Sequence, residues 1–74
     1  MEQHVLIADA MVGKYRVKLF RSAAGMISGH ATGPKGSQPF TVQSDGLPHW
    51  VYGDGFGEIA YLVAGIRKLI AQGV

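Results

Sequence analysis

Chemistry in this chain would have to come from few groups. His4, His30 and His49 supply the imidazoles, Asp9, Asp45, Asp54 and Glu58 the carboxylates beyond Glu2 at the start of the chain, and Ser22, Ser28 and Ser44 candidate hydroxyl nucleophiles. A catalytic zinc takes three protein ligands held together. The histidines stand on separate segments, show neither H-x₃-H nor HExxH spacing, and have no cysteine to join them. None of these serines lies in the glycine-flanked turn that exposes a nucleophile. A carboxylate pair for glycoside hydrolysis would draw on four acids, two of which, Asp45 and Asp54, read as caps. The residue types therefore imply a non-catalytic protein with no metal and no cofactor.

One stretch does resemble a ligand loop. Gly53-Asp54-Gly55-Phe56-Gly57-Glu58 places three glycines at alternate positions ahead of an apolar run. A dinucleotide site needs a strand before the glycines, a helix after them and a second parallel strand with an acid roughly 20 residues on. The chain ends at Val74 with all of that length taken up by the helix, and the Gly-Lys-Ser/Thr ending of a P-loop is replaced by Gly-Glu-Ile. A structural reading accounts for every residue. Asp54 caps the helix, Gly53 and Gly55 allow the sharp turn into it, and Glu58 sits in its first turn beside the positive dipole end.

Size and charge set the frame. Seventy-four residues make one domain, 1–74, and a chain this short buries only about 60% of the surface it exposes when unfolded. Without cysteine, packing alone must stabilise it, which suits a reducing compartment. Seven Lys and Arg against five Asp and Glu leave a net charge of +2. That is far from the dense basic stripe of a dedicated nucleic-acid binder, and it excludes an acidic DNA mimic. No apolar run is long enough to span a bilayer. The first residues lack the basic n-region of a signal peptide, so a soluble intracellular protein is expected.

The elements that would position these groups read as follows. Residues 4–12 and 14–20 are rich in β-branched and aromatic residues on either side of Gly13, as in an antiparallel hairpin. A turn is expected at 21–25, a weaker strand at 26–31, a loop at 32–38 and a fourth strand at 39–44 with Pro39 at its start. Residues 45–53 fit either a short helix capped by Asp45 or a fifth strand carrying His-Trp-Val-Tyr. Phe56, Ile59, Leu62, Val63, Ile66, Leu69 and Ile70 recur at three- and four-residue steps, giving one apolar helix face, with Glu58, Tyr61, Gly65, Lys68 and Gln72 opposite. The result is an α+β domain: an antiparallel four-stranded sheet with one face covered by a C-terminal helix.

A single helix leaves the other sheet face open. On the second strand Tyr15, Val17 and Leu19 share the helix face, and Lys14, Arg16, Lys18 and Phe20 share the open one. The first hairpin admits two registers. A two-residue loop at Gly13-Lys14 sets Asp9 opposite Lys18 and brings Val5, Ile7 and Met11 to the basic face. A three-residue loop brings Leu6, Ala8 and Ala10 there and turns Asp9 inward. Charge favours the first, since a buried lone carboxylate is costly. Both give aliphatic side chains beside Phe20 and a row of positive charge, the makings of a binding surface.

The order of elements and the tail resemble a family. Trp50, Val51, Tyr52 and Gly53, then Gly55, Phe56, Gly57, Glu58 and Ile59 ahead of an amphipathic helix, resemble the small phage-encoded anti-CRISPR proteins that inhibit type I-F surveillance complexes, as does the strand around Tyr15, Val17, Leu19 and Phe20. The resemblance covers most of the chain. It implies a protein acting in the cytoplasm of an infected bacterium as a monomer or weak dimer. Its open sheet face would bind the guide-carrying backbone subunits of the complex and block target-DNA pairing. Phe20 matches the strand-two aromatic, Leu6 stands where strand one supplies another, and Thr32 stands near an acid position. The family register favours the three-residue loop, and the tail favours a short helix at 45–52. The expected partner-binding residues are Leu6, Lys14, Arg16, Lys18, Phe20 and His30. Two other functions fit the same residues: a single-stranded nucleic-acid binder using Arg16, Lys18, Phe20 and His30, and a self-associating module pairing through an edge strand or through the Tyr61, Gly65 and Lys68 helix face.

Overall fold

The computed structural model describes residues 4–73. Five strands, β1 (His4–Val12), β2 (Tyr15–Ser22), β3 (Ile27–Gly33), β4 (Gly36–Val42) and β5 (Pro48–Trp50), precede one helix, α1 (Ala60–Gly73). The sheet runs β1-β2-β3-β4-β5, every neighbouring pair antiparallel. The α+β class and the C-terminal helix are as the sequence implies. The strand number is not: Pro48–Trp50 is a fifth strand against Phe40–Val42, and no short helix forms there. Asp45 closes a turn instead of capping a helix. Its carboxylate accepts the Leu47 N–H at 2.9 Å and lies 3.0 Å from His49 Nε2. Trp50 then meets Phe40 edge-on at 5.5 Å, which fixes the strand.

The expected loop at 32–38 is also mostly strand. Only Pro34 and Lys35 turn, and β3 pairs with β4 up to Gly33 against Gly36. Proline's fixed φ suits the first turn position, and the Thr32 and Ser37 hydroxyls meet across the ladder at 3.1 Å. The glycine- and proline-rich composition marks the tip of a hairpin.

Alternation builds the core. Tyr15, Val17 and Leu19 on β2, Ala31 on β3 and Phe40 on β4 are buried on one face, with Leu62, Ile66 and Ile70 of α1 packed against them. Helix spacing of four residues repeats the apolar contact once per turn. Gly65 faces this interface, not solvent as expected from the helical wheel. A Cβ there would stand 2.4 Å from Val12 Cγ1, so the missing side chain lets α1 approach β1. No helix among the described residues is long and apolar enough to cross a membrane.

Candidate functional site

The face that α1 leaves uncovered is a grid set by strand register. Leu6, Phe20, Ser28, Thr41 and His49 form one row across β1 to β5. Asp9, Lys18, His30 and Pro39 form the next, and Met11, Arg16, Thr32 and Ser37 the third. Directly opposed residues of antiparallel strands share a face, so each row is a line of neighbours.

The first hairpin combines both expected registers. Val12 pairs with Tyr15 across a two-residue turn, Gly13-Lys14, so Asp9 lies opposite Lys18 as the charge argument requires. Gly13 at φ 61 with Lys14 at negative φ is the type II′ pattern that matches strand twist. Between Leu6 and Ala8 the register shifts by a β-bulge. The extra residue is Ile7, which turns to pack on the core, and the far end of β1 changes face. Leu6 therefore lies opposite Phe20 on the open face, while Met11 keeps the place given it by the two-residue turn. Neither register alone predicts both.

Electrostatics on this face differ from the plain basic row expected. Arg16 binds Asp9 through both carboxylate oxygens, Nε to Oδ1 at 2.9 Å and Nη2 to Oδ2 at 2.8 Å. This fork geometry holds the guanidinium in one place. It lowers the Asp9 pKa below the ordinary carboxylate value, mainly by the Arg16 hydrogen bonds, with the Arg16 and Lys18 charges adding to it. Arg16 is raised in turn by the same bonds. The pair is a diagonal across two rows, because Arg16 stands opposite Met11. Lys14 lies in the turn at the rim, exposed. The charge in the middle of the face is that of Lys18.

Beside Lys18 the face carries polar and apolar side chains together: Asp9 and His30 lie opposite it, and Arg16 and Phe20 stand two residues away on β2. Phe20 and His30 stand with ring centroids 5.8 Å apart and planes 30° from parallel, both half-buried. Pro39 lies opposite His30, and the Val51 N–H donates to the Pro39 carbonyl at 3.2 Å. Leu6, Met11 and Val51 are about half exposed or more, at 49%, 63% and 53%. All six expected residues thus lie on this face or its rim. Asp9, Met11 and Pro39 join them, and the sequence reading missed Pro39 because it placed a loop immediately before it. Strand alternation carried through the Pro34 turn would have found Pro39.

The glycine loop is not a phosphate cradle. Residues 53–58 form successive turns, and α1 begins only at Ala60. The Asp54 side chain caps nothing there. Its carbonyl accepts the Gly57 N–H at 2.8 Å, and the Ile59 carbonyl accepts from Leu62 and Val63 as the helix opens. Glu58 lies before the helix and pairs with Lys35 at 3.4 Å. Gly55, at φ 52, passes so close over Trp50 that a Cβ would stand 2.5 Å from the indole. The hollow outside this loop, about 690 Å³, is lined by Trp50, Asp54 and Glu58, whose carboxylates repel an anion. The loop's role is to fold over Trp50 and to deliver Phe56 into the core, where its ring meets Trp50 and Tyr15 at 5.6 and 5.1 Å.

The histidines occupy three different strands, His4 on β1, His30 on β3 and His49 on β5. Among the described residues no group of three His, Cys, Asp or Glu side chains is placed to hold a metal. The chain matches no known protein family, no curated protein and no solved structure.

Proposed function

We propose that this chain is a non-catalytic inhibitor that docks through its open sheet face on a type I CRISPR–Cas surveillance complex and blocks target-DNA binding. The guide-carrying backbone subunits are the proposed contact. The observation that carries the docking face is the pattern around Lys18: Phe20 and His30 side by side, flanked by Leu6, Met11 and Pro39, with Arg16 held by Asp9. Aromatic and arginine side chains within a water-excluding apolar surround are what concentrate binding energy at protein interfaces. The choice of target rests on the family resemblance of strand two and the tail.

A nucleic-acid reading ranks second for a specific reason. Non-specific strand binding draws on uncompensated cations and on several stacking rings. Here Asp9 neutralises Arg16, Phe20 and His30 are the one ring pair on the open face, and the remaining imidazole in its rows, His49, is engaged by Asp45. Salt titration separates the two. Oligonucleotide binding that is tight and falls steeply with salt would favour the nucleic-acid reading.

The test is retention of the tagged chain on purified type I surveillance complexes, followed by target-DNA binding with and without it. Retention with loss of DNA binding is expected, and absence of retention on every complex tried removes the target. Competition by free backbone subunit narrows the contact.

A further inference from the structure

The two edges of the sheet are unequal. β5 is three residues long and begins with Pro48, which has no N–H to offer. Shortness and proline are the means by which edge strands avoid pairing with other chains. β1 is nine residues long, and no described strand pairs with its outer side. Its bulge ends the regular stretch at Ala8, leaving Ala8–Val12 in unbroken register with β2. Asp9 is the only charge in that stretch, and Arg16 neutralises it.

We propose that two copies of this chain join Ala8–Val12 antiparallel about a two-fold axis at Ala10, making one continuous sheet. Hydrogen-bond phase supports this register. A two-residue turn is closed by a hydrogen-bonded pair, here Val12 and Tyr15, and such pairs alternate along the ladder. Ala10 and Ala8 therefore bond inward to β2, while Asp9 and Met11 turn their N–H and C=O to the outer edge. Centring on Ala10 sets Asp9 of each copy against Met11 of the other as hydrogen-bonded pairs. Ala10 meets its own copy in the close, non-bonded pair, where a methyl side chain fits.

The alternatives are worse on charge and length. Faces match only when the axis lies at a residue. An axis at Asp9 sets carboxylate against carboxylate, and an axis at Met11 runs the pairing into the Gly13 turn. With the axis at Ala10, each Asp9 comes beside a Met11 whose β2 neighbour is Arg16, so each acid approaches the other copy's guanidinium. Met11, 63% exposed in one chain, is covered in the pair. Both copies use the same edge, so the assembly closes at two with the short β5 edges outermost. The seam borders the proposed docking face at Met11 and leaves Lys18, Phe20 and His30, on β2 and β3, clear of it.

Sedimentation equilibrium of the full chain, from micromolar to millimolar concentration, tests it. A reversible monomer–dimer equilibrium is expected for the unaltered chain. Met11→Asp sets two carboxylates together at each end of the seam and raises the dimer dissociation constant about tenfold or more. Met11→Lys sets an ammonium against Asp9 and keeps the dimer. Circular dichroism of both variants checks that this exposed position leaves the fold intact. A chain that stays monomeric throughout overturns the proposal, as does a dimer indifferent to Met11→Asp. Loss of the dimer in both variants overturns the Ala10 register.

Discussion

The two faces of β2 are built from alternate residues of one strand and do different work. Tyr15, Val17 and Leu19 are buried under α1, whereas Arg16, Lys18 and Phe20 keep part or most of their surface. The covered face is closed by packing: three aromatic rings, Tyr15, Phe56 and Trp50, meet in sequence, and Phe40 meets Trp50 from the sheet. The open face is organised by directional contacts, a forked ion pair and one ring pair. Stability and recognition are thereby separated by a single step along the chain. Substitutions on the two faces should act on different measurements.

The largest expected effect lies on the covered side. Phe40 is among the largest fully buried side chains, and Phe40→Ala should cost about 3–5 kcal/mol of stability. For a domain this small that approaches its whole margin. Urea unfolding would read it as a large fall in midpoint or as a chain already unfolded. On the open side Phe20→Ala should behave in the opposite way. Inhibition should weaken by about 2 kcal/mol or more, as for an interface anchor, with a far smaller change in the urea midpoint.

Gly65 sharpens the comparison where α1 meets β1. Alanine would gain the helix about 1 kcal/mol. Its Cβ, however, would stand 2.4 Å from Val12, and overpacking of this kind costs about 1–3 kcal/mol. Gly65→Ala should therefore be net destabilising, and adding Val12→Ala should restore or reverse the change. A double-mutant cycle by urea unfolding measures that coupling.

Much of this arrangement was legible beforehand. The alternation of Tyr15, Val17 and Leu19 against Arg16, Lys18 and Phe20 depends only on the two-residue repeat of a strand, and it holds. The apolar helix face holds for Leu62, Ile66 and Ile70 but not for its first members, because Phe56 and Ile59 reach the core from the turns before α1. What could not be read was whatever depends on a partner distant in sequence. β5 exists because Trp50 finds Phe40, and Gly65 turns inward because Val12 is there. The bulge that carries Leu6 to the open face leaves no mark in residues 4–12, since Ile7 is as apolar as its neighbours. The Asp9–Arg16 diagonal needed the register first.

The smallest effect belongs to that diagonal, which is exposed. Asp9 is held below its ordinary pKa, so its contribution to stability is present above the unfolded carboxylate value and is lost as pH falls through the folded one. Asp9→Asn should lower the urea midpoint slightly near neutral pH, and the difference should vanish in acid. The same variant leaves Arg16 uncompensated and should increase salt-sensitive oligonucleotide binding.

The most direct measurement of the docking face is a side-by-side titration of the unaltered chain and Phe20→Ala into a type I surveillance complex, read as target-DNA binding. The expected result is blockade by the unaltered chain and little or none by Phe20→Ala at the same concentration, with both folded by circular dichroism. Equal blockade by the two would contradict docking through the open face.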